Sequence, residues 1–527
     1  MKHPPSTLVK EAQSDWVKPL LDVKEYKPTR PMRKAEVWSG SEGDLFAARV
    51  PEWFSLPQAN YAVSRALTEE LLADVKSYEK VLVKPDSSVS PGYFLANPTF
   101  RRIARENGVS SHADMQALTT PPSALAGVVD ALLNAGAEEV HIMIDSPWLN
   151  PLRVAFETGF AEVFARPEYE GKVYFVSPYE GRNELEWVPL KWANGFDVGF
   201  FTHINPPRAL FQERYKLAII VSPVKTHSLT VYSLLLKNFG SLWRPPRSRW
   251  HALGFPVKLF ESEYAGKILN IDVQEHKVFQ VLSLGDRIVL SNGFSSSAPL
   301  PTCVEEGELL AVCDPHTGST SMVPLLLSMG YTVIRYLGAY ASLLDELWRA
   351  GTRVAGLVTG IVGMEGEGPL IYGKRRVDCF ALAGASPLAV EVLALDVAAG
   401  VGRRGFEGAV MRVNRSFCSR YITDEELEED IMLEAADPWT FRLAEELVRE
   451  ERDPSRYTLQ LLDFGEGDKV NQPWDLRLGP PYKLPKHVYV SPRVLMRAVY
   501  TEDALFKRAF STMDKGVTVP LTDMLAA

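Results

Sequence analysis

Short, unbroken apolar runs alternate with amphipathic helical stretches through the middle of the chain. The run Leu217-Ala218-Ile219-Ile220-Val221 has the composition of a central strand that is covered on both faces of a parallel sheet. We expect this strand to stop at Ser222-Pro223, because proline cannot donate a hydrogen bond to its neighbour. The next apolar spacing predicts a helix over residues 228–240, which ends at Gly240.

The same alternation recurs on both sides of this run. It predicts strands at 80–83, 139–144, 173–175, 198–201, 309–313 and 354–359, and helices at 67–75, 122–133, 322–329 and 388–399. Strand, helix and strand in that order imply a right-handed parallel unit. The pattern therefore predicts an α/β fold with a doubly wound, mostly parallel, Rossmann-like sheet.

Changes in composition and in hydrophobic periodicity divide the chain into four predicted parts. We expect an N-terminal arm (1–60), an α/β core domain (61–252 plus 354–402), an inserted α/β sub-domain or lid (253–353) and a mainly helical C-terminal extension (403–527). The arm and the extension are the surfaces through which we expect any homo-oligomer to form.

Composition describes an ordinary soluble globular protein, with 46% hydrophobic and 23% charged residues. A net charge of −9 argues against a general nucleic-acid binder. No signal-like start and no apolar run of about 18 residues is seen, so we expect a cytoplasmic protein without membrane contact. The four cysteines form no CxxC pair, which argues against a protein-ligated iron–sulfur cluster.

Polar side chains follow the predicted strands where their carboxyl ends meet, the place where open α/β sheets bind ligands. Any one of them has an ordinary structural explanation, such as a helix cap or a solvated lysine. Together they predict a cationic pocket, because stability needs no such concentration beside a sheet edge. The set is Lys84, Asp145, Lys225 and His227, with Lys237, Asn238 and His251 downstream.

Two further loops carry candidate residues. Glu365 lies in the glycine-rich segment 363–369, where it is a candidate general base or an ordinary solvated acid. Ser319 lies in the loop 314–321 ahead of a predicted helix. Hydroxyls and amides at such a site bind phosphate or carboxylate, or simply cap the helix.

Several motifs together resemble the family known as domain of unknown function 362, over about residues 80–400. Lys225-Thr226-His227, then Leu236-Lys237-Asn238 and a later histidine, carry the resemblance. Further similar stretches are 81–86, with Asp86 where asparagine is usual, 119–122, 134–137, 144–147, 360–369 and 385–390. The resemblance implies no activity, since the family name records none.

His227, Lys237 and His251 are also similar in order and spacing to the nickel-pincer lactate racemases, in which two histidines and a lysine bind the pincer cofactor and its nickel. This resemblance implies that Lys237 carries or contacts an organic cofactor and that His251 ligates the metal. It also implies a reaction that moves hydride or a proton at a hydroxyl-bearing carbon.

Three functions follow as hypotheses. The first is an enzyme, either an isomerase or an oxidoreductase, that binds a small anionic metabolite or cofactor. Its catalytic residues are Lys225, His227 and Glu365, its cofactor-binding residues are Lys84, Lys237, Asn238 and Ser319, and its metal ligands are His227, His251 and Asp145. The second is a nickel-pincer-type racemase or epimerase of a hydroxy acid. The third is a non-enzymatic ligand-binding or cofactor-assembly subunit.

Overall fold

The computed structural model describes part of the 527-residue chain. The described residues are 2–9, 18, 30–52, 54–73, 78–87, 117–145, 151–177, 188–189, 203–204, 209–227, 231–240, 278–284, 288–290, 295–296, 309–311, 340–365, 374–399, 453–465, 470 and 472–482.

Strands and short helices alternate through the described residues. The strands are β1 (Lys2–His3), β2 (Arg30–Ser39), β3 (Asp44–Arg49), β4 (Lys80–Pro85), β5 (Glu139–Met143), β6 (Val173–Val176), β7 (Val188–Pro189), β8 (His203–Ile204), β9 (Leu217–His227), β10 (Val231–Tyr232), β11 (Val278–Leu284), β12 (Ile288–Leu290), β13 (Ser295–Ser296), β14 (Leu309–Ala311), β15 (Arg353–Glu365), β16 (Lys374–Val377), β17 (Phe380–Gly384) and β18 (Thr458–Asp463). The helices are α1 (Leu56–Leu71), α2 (Pro122–Asn134), α3 (Pro151–Glu157), α4 (Phe160–Phe164), α5 (Ala209–Gln212), α6 (Leu235–Gly240) and α7 (Pro387–Ala399), and residues 340–349 are also helical.

Twelve of the strands in the described residues form one mixed sheet. Five neighbours in the order β6-β5-β4-β9-β15 run parallel to one another. Beyond β15 the sheet continues through β17, β3, β18 and β2, with β17 antiparallel to β15 and to β3. The predicted α/β class is confirmed, and the sheet is mixed because antiparallel strands extend its parallel part.

Both ends of the chain enter this sheet. β2 and β3 come from the predicted arm, and β18, which is buried along its whole length, comes from the predicted helical extension. β18 runs parallel to β3 and antiparallel to β2. β2, β3 and β18 therefore belong to the main sheet, where they cover an edge that would otherwise expose unpaired backbone groups. The division of the chain into four parts stays a prediction.

Apolar side chains pack against both faces of the sheet. On one face Ala218 and Ile220 of β9 belong to a buried cluster that includes side chains of α6, α7 and the helical residues 340–349. On the other face Ile219 and Val221 belong to a second cluster, with side chains of α1 and α2. The apolar run at 217–221 is thus a strand covered on both faces, as predicted, and residues 340–349 of the predicted insertion pack on the main sheet.

β9 continues past Pro223 to His227, contrary to the prediction. β4 pairs with β9 only as far as Val221, and the register with β15 shifts after Pro223, so the proline lies where a missing N–H is tolerated. The chain then turns back as β10, whose Val231 pairs with His227. Val231 and Tyr232 have β-branched and aromatic side chains, which favour strands. The helix α6 therefore begins only at Leu235.

The predicted insertion contributes strands β11 to β14, which form a four-stranded antiparallel sheet. β14 lies within the strand predicted at 309–313. The predicted helix at 322–329 and the predicted strand at 198–201 lie outside the described residues.

In the described part of the chain, no helix combines the length and the apolar character needed to cross a lipid bilayer.

Candidate functional site

The site lies at the carboxyl ends of β4 and β9. β5 follows β4 on one side and β9 adjoins it on the other, so the strand order reverses at this pair. In open α/β sheets the crevice outside such a reversal is the usual ligand site. Pro85 is in register with Val221, and the residues that come after this pair form what we call the carboxyl-end rim.

Lys84 lies at this rim with its side chain 1% exposed. Its Nζ is 2.5 Å from Oδ1 of Asp145, and it donates hydrogen bonds to Oδ1 of Asn238 at 2.7 Å and to the carbonyl oxygen of Pro85 at 3.0 Å. Three acceptors match the three N–H groups of an ammonium. Lys84 is therefore fully engaged inside the protein.

Lys225 makes a second buried ion pair. Its Nζ is 2.6 Å from Oδ2 of Asp86 and donates to the carbonyl oxygen of Leu118 at 2.7 Å. Burial alone would raise the pKa of Asp86, but the charge and hydrogen bond of Lys225, with smaller contributions from Lys84 and Lys237, lower it overall. Asp86 is thus a carboxylate.

Asn238 and Thr120 fasten neighbouring segments to the two strands. Nδ2 of Asn238 lies 3.2 Å from the carbonyl oxygen of Val221 and 3.0 Å from Oγ of Ser222, which ties α6 to β9. The Thr120 hydroxyl donates to the Val221 carbonyl at 2.8 Å and accepts from the Asp86 N–H at 2.8 Å. The backbone around the rim is consequently fixed from both sides.

Lys237 precedes Asn238 on α6 and is the third lysine of the group. Its side chain retains partial solvent exposure, although the ammonium is set deep among protein atoms. Burial, and then the charge of Lys225, lower the pKa of Lys237 to about 7, and Asp86 offsets this only in part. We call Lys84, Lys225, Lys237, Asp86, Asp145 and Asn238 the lysine cluster.

Glu391 on α7 supports the start of α6. Its Oε2 accepts a hydrogen bond from the backbone N–H of Leu236 at 2.7 Å, and the side chain is buried. Burial raises the pKa of Glu391 to about 8, despite backbone donors that favour the ionised form. The carboxyl group that positions the helix of Lys237 is therefore protonated in a large fraction of molecules near neutral pH.

Glu365 lies in a different set of contacts, although its neighbour Met364 is in register with Lys225. Its Oε2 is 2.9 Å from Nη1 of Arg376, which also contacts both carboxylate oxygens of Asp378 and stacks on Tyr482 with 4.3 Å to the ring centroid. We call these four residues the arginine cluster. Arg376 also donates to the carbonyls of Pro480 and Pro481, so it attaches the segment 472–482 to the sheet.

The structure brings together five of the predicted site residues: Lys84, Asp145, Lys225, Lys237 and Asn238. His227 ends β9, whereas Ser319 and His251 lie outside the described residues. Sequence reasoning assigned no role in the site to Asp86, Thr120, Arg376 or Glu391. A signal existed for Asp86, which directly follows a strand ending in Lys84-Pro85. None existed for Glu391, which approaches from a distant helix.

Metal binding stays a prediction. In the described part of the chain, no three His, Cys, Asp or Glu side chains converge as metal ligands. Oδ1 of Asp145 is paired with Nζ of Lys84, and this ion pair competes with a metal for the carboxylate. The proposed ligands His227 and His251 are not tested by these contacts.

A family model described as "Domain of unknown function (DUF362)" matches residues 106–396, more than half of the chain. The chain belongs to the DUF362 family. The matched region contains Lys225, Lys237 and Asn238, and it begins after β4, so Lys84 precedes it. No curated protein matches this DUF362 protein significantly in sequence.

A crystal structure of a Thermotoga maritima protein from a structural genomics programme is distantly similar. The sequences are 10% identical, the TM-score is 0.27, and the match covers 62% of this chain. It spans only 56% of the other protein. At this TM-score the likeness carries no argument about the DUF362 protein.

Because Lys84 and Asp145 form a buried ion pair, substitutions at the two residues should have non-additive effects on the free energy of unfolding. Lys84→Met should lower the free energy of unfolding by about 3–5 kcal/mol, because it strands a buried carboxylate. Lys84→Met combined with Asp145→Asn should lower it by about half of that or less. Urea unfolding of wild type, both single variants and the double variant measures the coupling; strictly additive effects would contradict a direct pair.

The raised pKa of Glu391 predicts that its contribution to the free energy of unfolding falls as pH rises. Its pKa is raised in the folded state from 4.5 to about 8, so its contribution is full below pH 4.5 and is lost as pH rises towards 8. Glu391→Gln is neutral throughout, so it should become more stable relative to wild type over this window, by on the order of a few kcal/mol.

Urea unfolding at about pH 5 and about pH 8 measures this difference. Glu168→Gln, at an exposed acid, is the control and should show no such trend. An equal Glu391→Gln effect at both pH values would count against a buried, protonated carboxyl.

Proposed function

We propose that this DUF362 protein is an enzyme that binds a small anionic ligand at the carboxyl-end rim between β4 and β9. The observation that carries the proposal is the gathering of three lysines around two aspartates at the point where strand order reverses. Asp86 and Asp145 pair with Lys225 and Lys84, and burial and the charge of Lys225 lower the pKa of Lys237 to about 7.

Burial beside the cation of Lys225 disfavours the charged form of Lys237, and a nearby anion would offset this effect. In a site shielded from water, an added carboxylate or phosphate attracts Lys237 and Lys225 more strongly than it would in solution. Such a ligand also favours the protonated form of Lys237, so binding raises the pKa of that residue. Whatever binds the folded state in this way also stabilises it against unfolding.

Strand order supports a doubly wound, Rossmann-like interpretation of the parallel part. Numbered along the chain, the order β6-β5-β4-β9-β15 reads 3-2-1-4-5, which is found in dinucleotide-binding folds, and apolar clusters cover both faces. The glycine-rich phosphate loop of those folds is replaced here by Lys84-Pro85-Asp86. The rim therefore offers charged side chains where those folds offer backbone N–H groups to a pyrophosphate. This difference favours a ligand smaller than a dinucleotide.

Lys237 also supports catalysis over simple binding. A group with a pKa near 7 exists in both protonation states at neutral pH, which suits a general acid or base. Such tuned groups concentrate at active sites, although structural networks contain them as well. Lys225 then orients the ligand, and Asn238 positions the helix that carries Lys237.

A nickel-pincer-type racemase is the second candidate. The observation in its favour is again Lys237, whose neutral amine fits covalent attachment of an organic cofactor, while His227 and His251 complete the resemblance. Intact-mass, metal and ultraviolet–visible measurements on the purified protein distinguish the two enzymes from a subunit that merely carries or assembles a cofactor.

The proposal predicts that small anions stabilise the protein through Lys237. Inorganic phosphate, propionate and pyruvate, each titrated against sodium chloride of equal ionic strength, should raise the melting temperature saturably in at least one case. Lys237→Met should weaken the apparent affinity about tenfold or more, since a charge-assisted hydrogen bond contributes about 1.5–3 kcal/mol.

The matched control is Lys172→Met, at an exposed lysine away from the rim, which should leave the affinity unchanged. Absence of a saturable response to all three anions in the wild-type protein would sink the proposal. An equal loss of affinity in the control variant would do the same, because it would indicate diffuse charge attraction.

A further inference from the structure

We propose that residues 2–9 form a proton-sensitive strap, which is docked on the edge of β6 while His141 is neutral and is loosened when His141 binds a proton. The side chains that carry the proposal lie towards the amino ends of β5 and β9, away from the carboxyl-end rim. The strap therefore does not depend on the anion site.

The strap covers the outer edge of the parallel strands. Its strand β1 (Lys2–His3) pairs antiparallel with β6, and Pro5 in the turn that follows is buried. Leu8 and Val9 pack against the apolar cluster on the face of α1 and α2. Because a two-residue pairing is short, the contacts of side chains must contribute to docking.

Lys2 attaches the strap through its side chain. Its Nζ forms an ion pair with Oε2 of Glu139 and lies 5.2 Å from the centre of the Tyr174 ring. Burial alone would raise the pKa of Glu139, but hydrogen bonds from Lys2 and His141 lower it overall. The strap is therefore held by an ion pair between a lysine and a carboxylate.

The same carboxylate oxygen also binds His141. Nε2 of His141 is 3.0 Å from Oε2 of Glu139, and Nδ1 is 2.9 Å from the hydroxyl oxygen of Tyr215. Because a carboxylate only accepts, Nε2 carries the hydrogen of the neutral ring and Nδ1 accepts from the Tyr215 hydroxyl. Both rings are buried, so the neutral form of His141 is fully engaged inside the protein.

Protonation of His141 disturbs both contacts. A hydrogen on Nδ1 forces the Tyr215 hydroxyl to turn its own hydrogen away from His141, its hydrogen-bond partner among the described residues. A buried donor that loses its acceptor is costly. The new cation also repels Lys2 and competes with it for Oε2 of Glu139. Docking of Lys2 and protonation of His141 therefore oppose each other.

The charges around His141 give the direction of the pH dependence. Burial and the charge of Lys2 hold the pKa of His141 below 6.5, although Glu139 and Glu213 act to raise it. The strap is therefore docked well above pH 6.5 and is loosened as the pH falls through the lowered pKa. The titratable and charged groups around His141 are Lys2 of β1, Glu139 of β5, Tyr174 of β6, Tyr215 before β9 and Glu213 after α5, which is paired with Lys80 of β4.

Release of the strap would change what the sheet presents to its surroundings. The backbone groups of β6 that pair with β1 would become exposed at the edge of the sheet. An uncovered edge can accept a strand from another chain. The protonation state of His141 would thus control access to this edge.

Hydrogen–deuterium exchange of the full chain, read by mass spectrometry of peptides that cover residues 2–9 and 173–176, measures docking. After correction for the intrinsic pH dependence of amide exchange, both segments should be protected about fivefold less at about pH 5.5 than at about pH 7.5. Helix α7 in the same sample is the internal control and should show no such loss. Equal protection of residues 2–9 at both pH values would overturn the proposal.

Two variants assign the effect to its residues. His141→Gln is neutral at both pH values and can still donate to Glu139 and accept from Tyr215, so it should keep the strap protected at both. Lys2→Met should lower protection about fivefold at about pH 7.5, because it removes the ion pair. Lys172→Met, at an exposed lysine immediately before β6, is the matched control and should behave like wild type.

The reciprocal measurement is the titration of His141, followed by NMR of histidine-labelled protein and assigned from the signal that His141→Gln lacks. Lys2→Met should raise the pKa of His141, since it removes a neighbouring cation. An unchanged pKa, or a pH dependence of exchange that persists in His141→Gln, would contradict the switch. If His141→Gln does not fold, Lys2→Met still decides through exchange, and protection of residues 2–9 equal to that of wild type would overturn the proposal.

Discussion

Burial of lysine charges at the carboxyl ends of β4 and β9 is the constraint on which the rest of the site depends. An ammonium taken out of water loses several kcal/mol of hydration, which a carboxylate partner returns only when further hydrogen bonds complete its surroundings. Lys84 has Asp145, Asn238 and a carbonyl as acceptors, and Lys225 has Asp86 and a carbonyl. These partners come from β4, from the ends of β4 and β5, from α6 and from residue 118, so the fold must assemble all of them together.

The sequence predicted most of the central fold because the parallel strands are apolar runs. It also predicted five members of the lysine cluster, since residues after parallel strands share one edge. It failed where tertiary pairing overrode local preference: Pro223 lies inside a strand because β4 has already ended, and Val231 and Tyr232 pair back on β9. Glu391 could not be found, because its role depends on how α7 packs against α6, which no local pattern records.

The strands outside the predicted core domain were not found in the sequence for a related reason. β2, β3 and β18 pair with one another in the main sheet, although β18 is far from the other two in sequence. In such segments the propensity for strand is decided by neighbours from distant parts of the sequence. The glycine-rich segment shows the same effect, since residues up to Glu365 continue β15 alongside β16. Its glutamate is thereby directed to Arg376, which the sequence alone did not indicate.

The two charged clusters differ in how completely their charges are matched. Arg376 contacts two carboxylates, two carbonyls and the ring of Tyr482, so its charge is fully compensated and it fastens the segment 472–482 to the sheet. The lysine cluster pairs two lysines with two aspartates and leaves Lys237 with a depressed pKa. Burial would lower the pKa of Arg376, but hydrogen bonds with Asp378 and Glu365 raise it overall, whereas burial and the charge of Lys225 together lower the pKa of Lys237. The two clusters therefore differ in whether neighbouring charges offset the cost of burying a cation.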